Sequence, residues 1–172
     1  MKLGQVVPCV IVSIALSVMP HAQVSDRNVK AAFLVRFADF VTWPADSPSG
    51  PFSVCLSKSH DFGGAVATAA TGVAVRGRPM VVRQLRGSDS ISDCQLLYVA
   101  PADEHLLRLS RGHPILTVGD GRGFCERGGV INLRVVDDRV RFEISLTHAR
   151  AVGLSVDSQL LRLALAVHGG RQ

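Results

Sequence analysis

Three cysteines, Cys55, Cys94 and Cys125, are the residues of this chain best equipped for chemistry in an oxidising compartment. Thiols can pair covalently, ligate a metal or, as thiolates, attack electrophiles. Three thiols allow one disulfide and one leftover, and residue types alone leave three pairings open. Cys55 in Phe52-Ser-Val-Cys-Leu and Cys94 in Cys94-Gln-Leu-Leu-Tyr-Val both occupy strand-like positions, so neighbouring strands could bring them within bonding reach. Closing that 39-residue separation would stabilise the fold by about 3–4 kcal/mol on a chain-entropy basis. No CxxC pair occurs, which argues against a thioredoxin-like redox enzyme. Cys125 reads either as a buried thiol or as a site for an intermolecular disulfide.

The other reactive side chains give less. His60, His105, His113, His148 and His168 stand apart from one another and from the cysteines at metal-ligand spacing, and no HExxH is present, so no metal site is expected. Each histidine reads as a surface or helix-end residue. A serine hydrolase would need a nucleophile elbow such as GxSxG, which is absent. Gly119-Asp-Gly-Arg-Gly, then Phe124 and Gly128-Gly129, superficially offers a phosphate cradle. Such loops work where backbone N–H groups converge at a helix N-terminus, and here a strand-like segment follows, so a turn-rich connection is the better reading. The expectation is therefore no enzyme and no cofactor. The best candidate for a binding surface is a set of charges, Arg134, Arg141 and Glu143, on one face of a hairpin. Arg134 and Arg141 should lie opposite each other, where like charges repel unless solvent, Glu143, Asp137 or an anionic partner holds them.

The elements that position these residues can be read from patterning. Met1 to Ala22 has Lys2 at its amino end, an apolar run from Val6 to Val18, and a small residue at a cut before Gln23, the layout of a cleaved signal peptide. Cys9 belongs to that segment. Removal would leave residues 23–172 as one domain of 150 residues, outside the cytoplasm, and loss of Lys2 takes the net charge from +5 to +4. Sixteen of the nineteen basic residues are Arg, and they are scattered among one Trp and one Tyr, which argues against nucleic-acid binding. Ser25-Asp26 starts a helix carrying Val29, Phe33, Phe37, Phe40 and Val41 and ending at Trp43-Pro44. Strands are expected at Phe52–Leu56, Met80–Arg83, Cys94–Val99 and Pro114–Val118, with helices at Asp61–Ala70 and from Pro101 to Leu109. Val130–Val136 and Arg139–Leu146 form a hairpin turning at Asp137-Asp138. Ser155 caps a last helix bearing Val156, Leu160, Leu161, Leu163, Ala164 and Val167. The sum is a single α/β domain with a mixed sheet of about six strands flanked by helices.

Several segments in order then resemble a known family. Val29-Lys-Ala-Ala-Phe-Leu-Val-Arg-Phe-Ala-Asp-Phe-Val-Thr-Trp-Pro, Cys94-Gln-Leu-Leu-Tyr-Val, Pro114-Ile-Leu-Thr-Val-Gly-Asp, Gly123-Phe with Gly128-Gly-Val-Ile-Asn, Arg141-Phe-Glu-Ile and Ser158-Gln-Leu-Leu-Arg-Leu-Ala together are similar to the YfiR-like periplasmic proteins. The resemblance spans residues 28 to 167. It implies a non-enzymatic periplasmic regulator that binds the periplasmic region of an inner-membrane diguanylate cyclase, lowers cyclic di-GMP and so biofilm formation, and forms a homodimer. It also implies that Cys55 and Cys94 are the family's stabilising pair, while Cys125 falls in the region of a second pair whose other member is missing here. The competing readings are a periplasmic small-molecule binding module with a cleft at the glycine-rich loop and, behind it, a hydrolase.

Overall fold

Asp137 and Asp138 both adopt positive φ, 48° and 55°, and so make the two-residue turn on which the right-hand twist of an antiparallel pair depends. That turn joins the two strands of a hairpin in a computed structural model that describes residues 26–45, 49–58 and 62–170. The leader, Cys9 and His60 lie outside the described residues.

The elements run α1 (Asp26–Phe37), β1 (Val41–Thr42), β2 (Phe52–Leu56), α2 (Gly63–Ala70), β3 (Ala74–Val75), β4 (Arg78–Gln84), β5 (Leu96–Val99), α3 (His105–Leu109) and β6 (Leu116–Gly119). They continue with β7 (Ile131–Val136), β8 (Arg139–Ser145), α4 (Leu146–Ala151), β9 (Ser155–Val156), α5 (Ser158–Leu163) and β10 (Ala166–His168). One eight-stranded sheet has the order β10-β8-β7-β6-β5-β2-β4-β3. β4, β2, β5, β6 and β7 are parallel, whereas β8 is antiparallel to β7 and β10 runs parallel to β8. The fold is thus mixed α/β as expected. All six expected strands are present, and the sheet exceeds that number through β3 and β10, with β1 and β9 forming a separate antiparallel ribbon.

β2, β5 and β6 are buried along nearly their whole length, the pattern of parallel strands covered on both faces. On one face α1 and α2 lie over Val54, Leu96, Tyr98 and Leu116, and Phe33 and Phe37 of α1 meet Phe142 of β8 at ring separations of 5.6 and 5.2 Å. On the other face α3 covers Cys55, Leu97, Val99 and Ile115 together with Phe124.

The helix boundaries needed correction at both ends of the domain. α1 stops at Phe37 and passes through a 3₁₀ turn, so Val41 is extended and not helical. Val41 pairs with Val156, the Asp157 amide donates to the Phe40 carbonyl at 2.8 Å, and the Trp43 indole donates to the Gln95 carbonyl at 3.1 Å. These tertiary bonds outweigh a helical pattern that by itself continued to Trp43. At the other end Ser155 lies in β9, and Asp157 is the cap, its side chain accepting from the Gln159 amide at 2.6 Å. The helix ends at Leu163. Ala164 turns extended, Leu165 donates to the Phe142 carbonyl at 2.7 Å, and Val167 belongs to β10. The segment after Pro101 likewise divides into a 3₁₀ turn and the short α3.

Candidate functional site

Two polar clusters stand out, one on each side of the sheet's middle. The first is the disulfide. Cys55 on β2 and Cys94, two residues before the adjacent strand β5, have their Cα atoms 5.8 Å apart and are joined covalently. Both residues are buried, at 0% and 2% exposure, against Leu85, Ile91 and Leu97. The Arg83 guanidinium lies 3.6 Å from each sulfur and donates to the Ser90 carbonyl at 3.1 Å, closing the loop that precedes β5 over the bridge.

The second cluster gathers on the polar face of the hairpin. Register places Arg134 opposite Arg141 and Asn132 opposite Glu143, so these four share one face while Ile131, Leu133, Phe142 and Ile144 point into the core. The repulsion between the two arginines is relieved on one side only. Arg134 donates to Glu143 at 2.8 Å, and Asn132 Nδ2 donates to the other Glu143 oxygen at 3.3 Å. Arg141 is exposed and has no hydrogen-bond or ion-pair partner among the described residues.

Cys125 enters this cluster from the glycine-rich loop. It is the free cysteine among the described residues, 2% exposed, with long contacts from its thiol to the carbonyls of Val130 and Glu143 at 3.7 and 3.8 Å. Burial first, then the charges of Glu143 and Glu126, push its thiol from 9.0 up to about 12, against the lowering effect of amides from Asn132 and Ser145. Such a thiol is protonated at neutral pH and a poor nucleophile. One nitrogen of His168, from β10, completes a trio in which the Cys125, Glu143 and His168 donor atoms all lie within 4.8 Å of one another. Residue spacing along the chain does not reveal it. The three residues come from a loop, the strand next to the sheet edge and the C-terminal edge strand, so no short spacing marks them, and the apolar pattern around β10 has helical spacing. The other described histidines do not join: His148 lies within α4, its amide donating to the capping Ser145 hydroxyl at 3.3 Å and its Nδ1 2.8 Å from the same hydroxyl.

The glycine-rich loop is a chain of turns with no helix behind it, in keeping with the turn-rich reading. Two of its glycines answer to packing. A Cβ at Gly119 would lie 2.6 Å from the Phe124 ring, and one at Gly129 would lie closer still. The ring is therefore held between two backbone segments that only glycine leaves open. Beside it, Lys30 of α1 pairs with Asp120 at 2.8 Å, and Glu104 pairs with Arg127 at 2.7 Å. Burial, then the Asp120 charge and its hydrogen bond, raise the Tyr98 phenol above its usual range. A shallow cleft of about 740 Å³ opens here, lined by Lys30, Asp120, Arg122, Glu126 and Arg134. Lys30 and Asp120 neutralise one another, and Arg134 is held by Glu143.

Six large apolar residues are exposed among the described residues, and four of them, Val135, Leu163, Leu165 and Val167, lie at the hairpin and the C-terminal segment beside it. Leu165 shares a pocket with Arg139 and Arg141. Apolar residues rimmed by arginine at a sheet edge form a surface suited to protein contact.

These features define a small α/β protein with a mixed sheet, a buried disulfide and a polar hairpin face. The profile of the DUF4154 family, described as YfiR/HmsC-like, matches residues 27–165, and the chain belongs to that family. Comparison with curated proteins finds no match.

Proposed function

We propose that this chain is an exported regulatory protein that docks on the outer face of an inner-membrane diguanylate cyclase and represses it, lowering cyclic di-GMP and biofilm formation. Its first 22 residues would direct export and be removed near Ala22, leaving residues 23–172 as a periplasmic domain. The observation that carries the reading is the family match across residues 27–165. What adds to it is the surface built by Arg141 and Leu165, where an unneutralised cation stands beside an exposed apolar side chain. Docking represses if the chain binds the inactive state of the cyclase more tightly than the active one, since only differential affinity moves such an equilibrium.

The test is deletion of the gene with cyclic di-GMP measured in the same strain. A rise on deletion, reversed by the wild-type chain and not by Arg141→Glu/Leu165→Asp, is the expected result. Unchanged cyclic di-GMP and biofilm would sink the proposal. Light scattering on the purified chain tests the homodimer that goes with it, and a monomer at micromolar concentration would remove that part. If instead thermal-shift screening finds a metabolite that raises the melting point strongly, the cleft at Asp120 and Arg134 becomes the leading site.

A further inference from the structure

We propose that Cys125, Glu143 and His168 form a three-residue site for a divalent transition metal, with zinc the ion their donor set fits best. The inference goes beyond the regulatory reading and stands or falls separately from it. Thiolate, imidazole and carboxylate are the three protein donors that zinc takes, and three protein ligands with a fourth position left to water or another molecule is a common zinc arrangement. The donor atoms here lie within 4.8 Å of one another. A tetrahedral zinc with bonds of about 2.0–2.3 Å holds its donors roughly 3.3–3.6 Å apart, so modest side-chain rotation closes the set on an ion.

Independent observations point the same way. His168 Nε2 is buried without a hydrogen-bond partner, and so is Oδ1 of Asn132, a residue 0% exposed that adjoins Glu143. Buried polar atoms are ordinarily satisfied, and the unprotonated imidazole nitrogen and the amide oxygen each carry a lone pair that an electrophile would take up. The surroundings of Glu143 also suit a ligand. Asn132 and Arg134 both donate to its carboxylate, which fixes the orientation of the group as outer-shell hydrogen bonds do around bound metals. The disulfide occupies Cys55 and Cys94, leaving Cys125 as the thiol of the described fold. Binding forms a metal–Sγ bond as the S–H bond breaks, and the proton leaves to solvent with no change in oxidation state.

Cobalt(II) is the probe, because it occupies zinc sites and reports on its ligands by absorption. The full chain, without a histidine tag, is titrated with Co²⁺ under anaerobic conditions. The expected result is one equivalent bound, with a near-ultraviolet thiolate-to-cobalt band and visible bands of tetrahedral intensity, all abolished by one equivalent of Zn²⁺. Cys125→Ser should remove the thiolate band, and His168→Gln should weaken binding by at least about tenfold. His168 is partly exposed on the edge strand, so that variant keeps the test sound if Cys125→Ser folds poorly; circular dichroism checks both. No thiolate band in the wild-type chain, a band that survives Cys125→Ser, or wild-type affinity in His168→Gln would each overturn the proposal.

Discussion

The two cysteine regions of this sheet are built from similar parts and arrive at opposite states. Around Cys55 and Cys94 the neighbours are apolar, one cysteine lies on β2 and the other just ahead of the adjacent β5, and an arginine covers the sulfurs. Around Cys125 the neighbours are a carboxylate and an imidazole, and the thiol stays single. One region consumes its sulfurs to hold two strands together; the other keeps a sulfur, protonated and enclosed, within reach of two further donors. Burial alone therefore does not decide what a cysteine is for. The strand pairing that supplies its partner does.

This contrast is open to direct attack. Replacing Cys55 and Cys94 together by Ala should cost about 3–4 kcal/mol, because the bridge closes a 39-residue loop, and denaturant unfolding measures it. Cys125→Ala removes one small buried side chain with only long hydrogen bonds and should cost about 1–2 kcal/mol in the same experiment. A Cys125 variant as damaging as the double variant would break the comparison. The alkaline limb sharpens it. The folded Cys125 thiol is raised above its unfolded value, so its contribution to stability is complete below about pH 9 and is lost as pH climbs from 9.0 toward about 12. Tyr98, also raised, adds in the same direction at still higher pH. Cys125→Ala should accordingly flatten the fall in stability between pH 9 and pH 11, whereas the disulfide variant should keep it. Iodoacetamide at pH 7.5, about 4.5 pH units below that raised value, should label native Cys125 far more slowly than the unfolded chain, read by mass spectrometry. The smallest effect belongs to Arg134→Ala. Its ion pair with Glu143 is half open to solvent on the arginine side, and its loss should cost no more than about 1 kcal/mol.

Much of the parallel half was legible because its strands are short apolar runs bounded by turns, and the hairpin because period-two alternation and Asp137-Asp138 agree. The Cys55–Cys94 pair was partly within reach of the same reasoning: Cys55 lies in β2 as expected, while Cys94 falls two residues before β5, the strand adjacent to it. What failed was the chain at the ends of helices. Val41 and Val156 have the spacing of helix residues, yet each is extended because the other is there to pair with it. Val167 was lost for the same reason, pairing beside Ile144. Cross-chain pairing is decided by partners distant in sequence, and periodicity carries no record of them. The Cys125–Glu143–His168 cluster depends on one of those hidden pairings. It could not be read before β10 was known to be a strand.

Phe124, gripped between Gly119 and Gly129, works as a rivet through the loop that carries Arg122, Glu126 and Arg127. A loop fastened in this way presents its charges in a preset arrangement and gives up little conformational freedom when something lands on it. Selectivity along that rim would then lie in the spacing of charges already in place, and a partner would have to conform to the loop more than the loop to the partner.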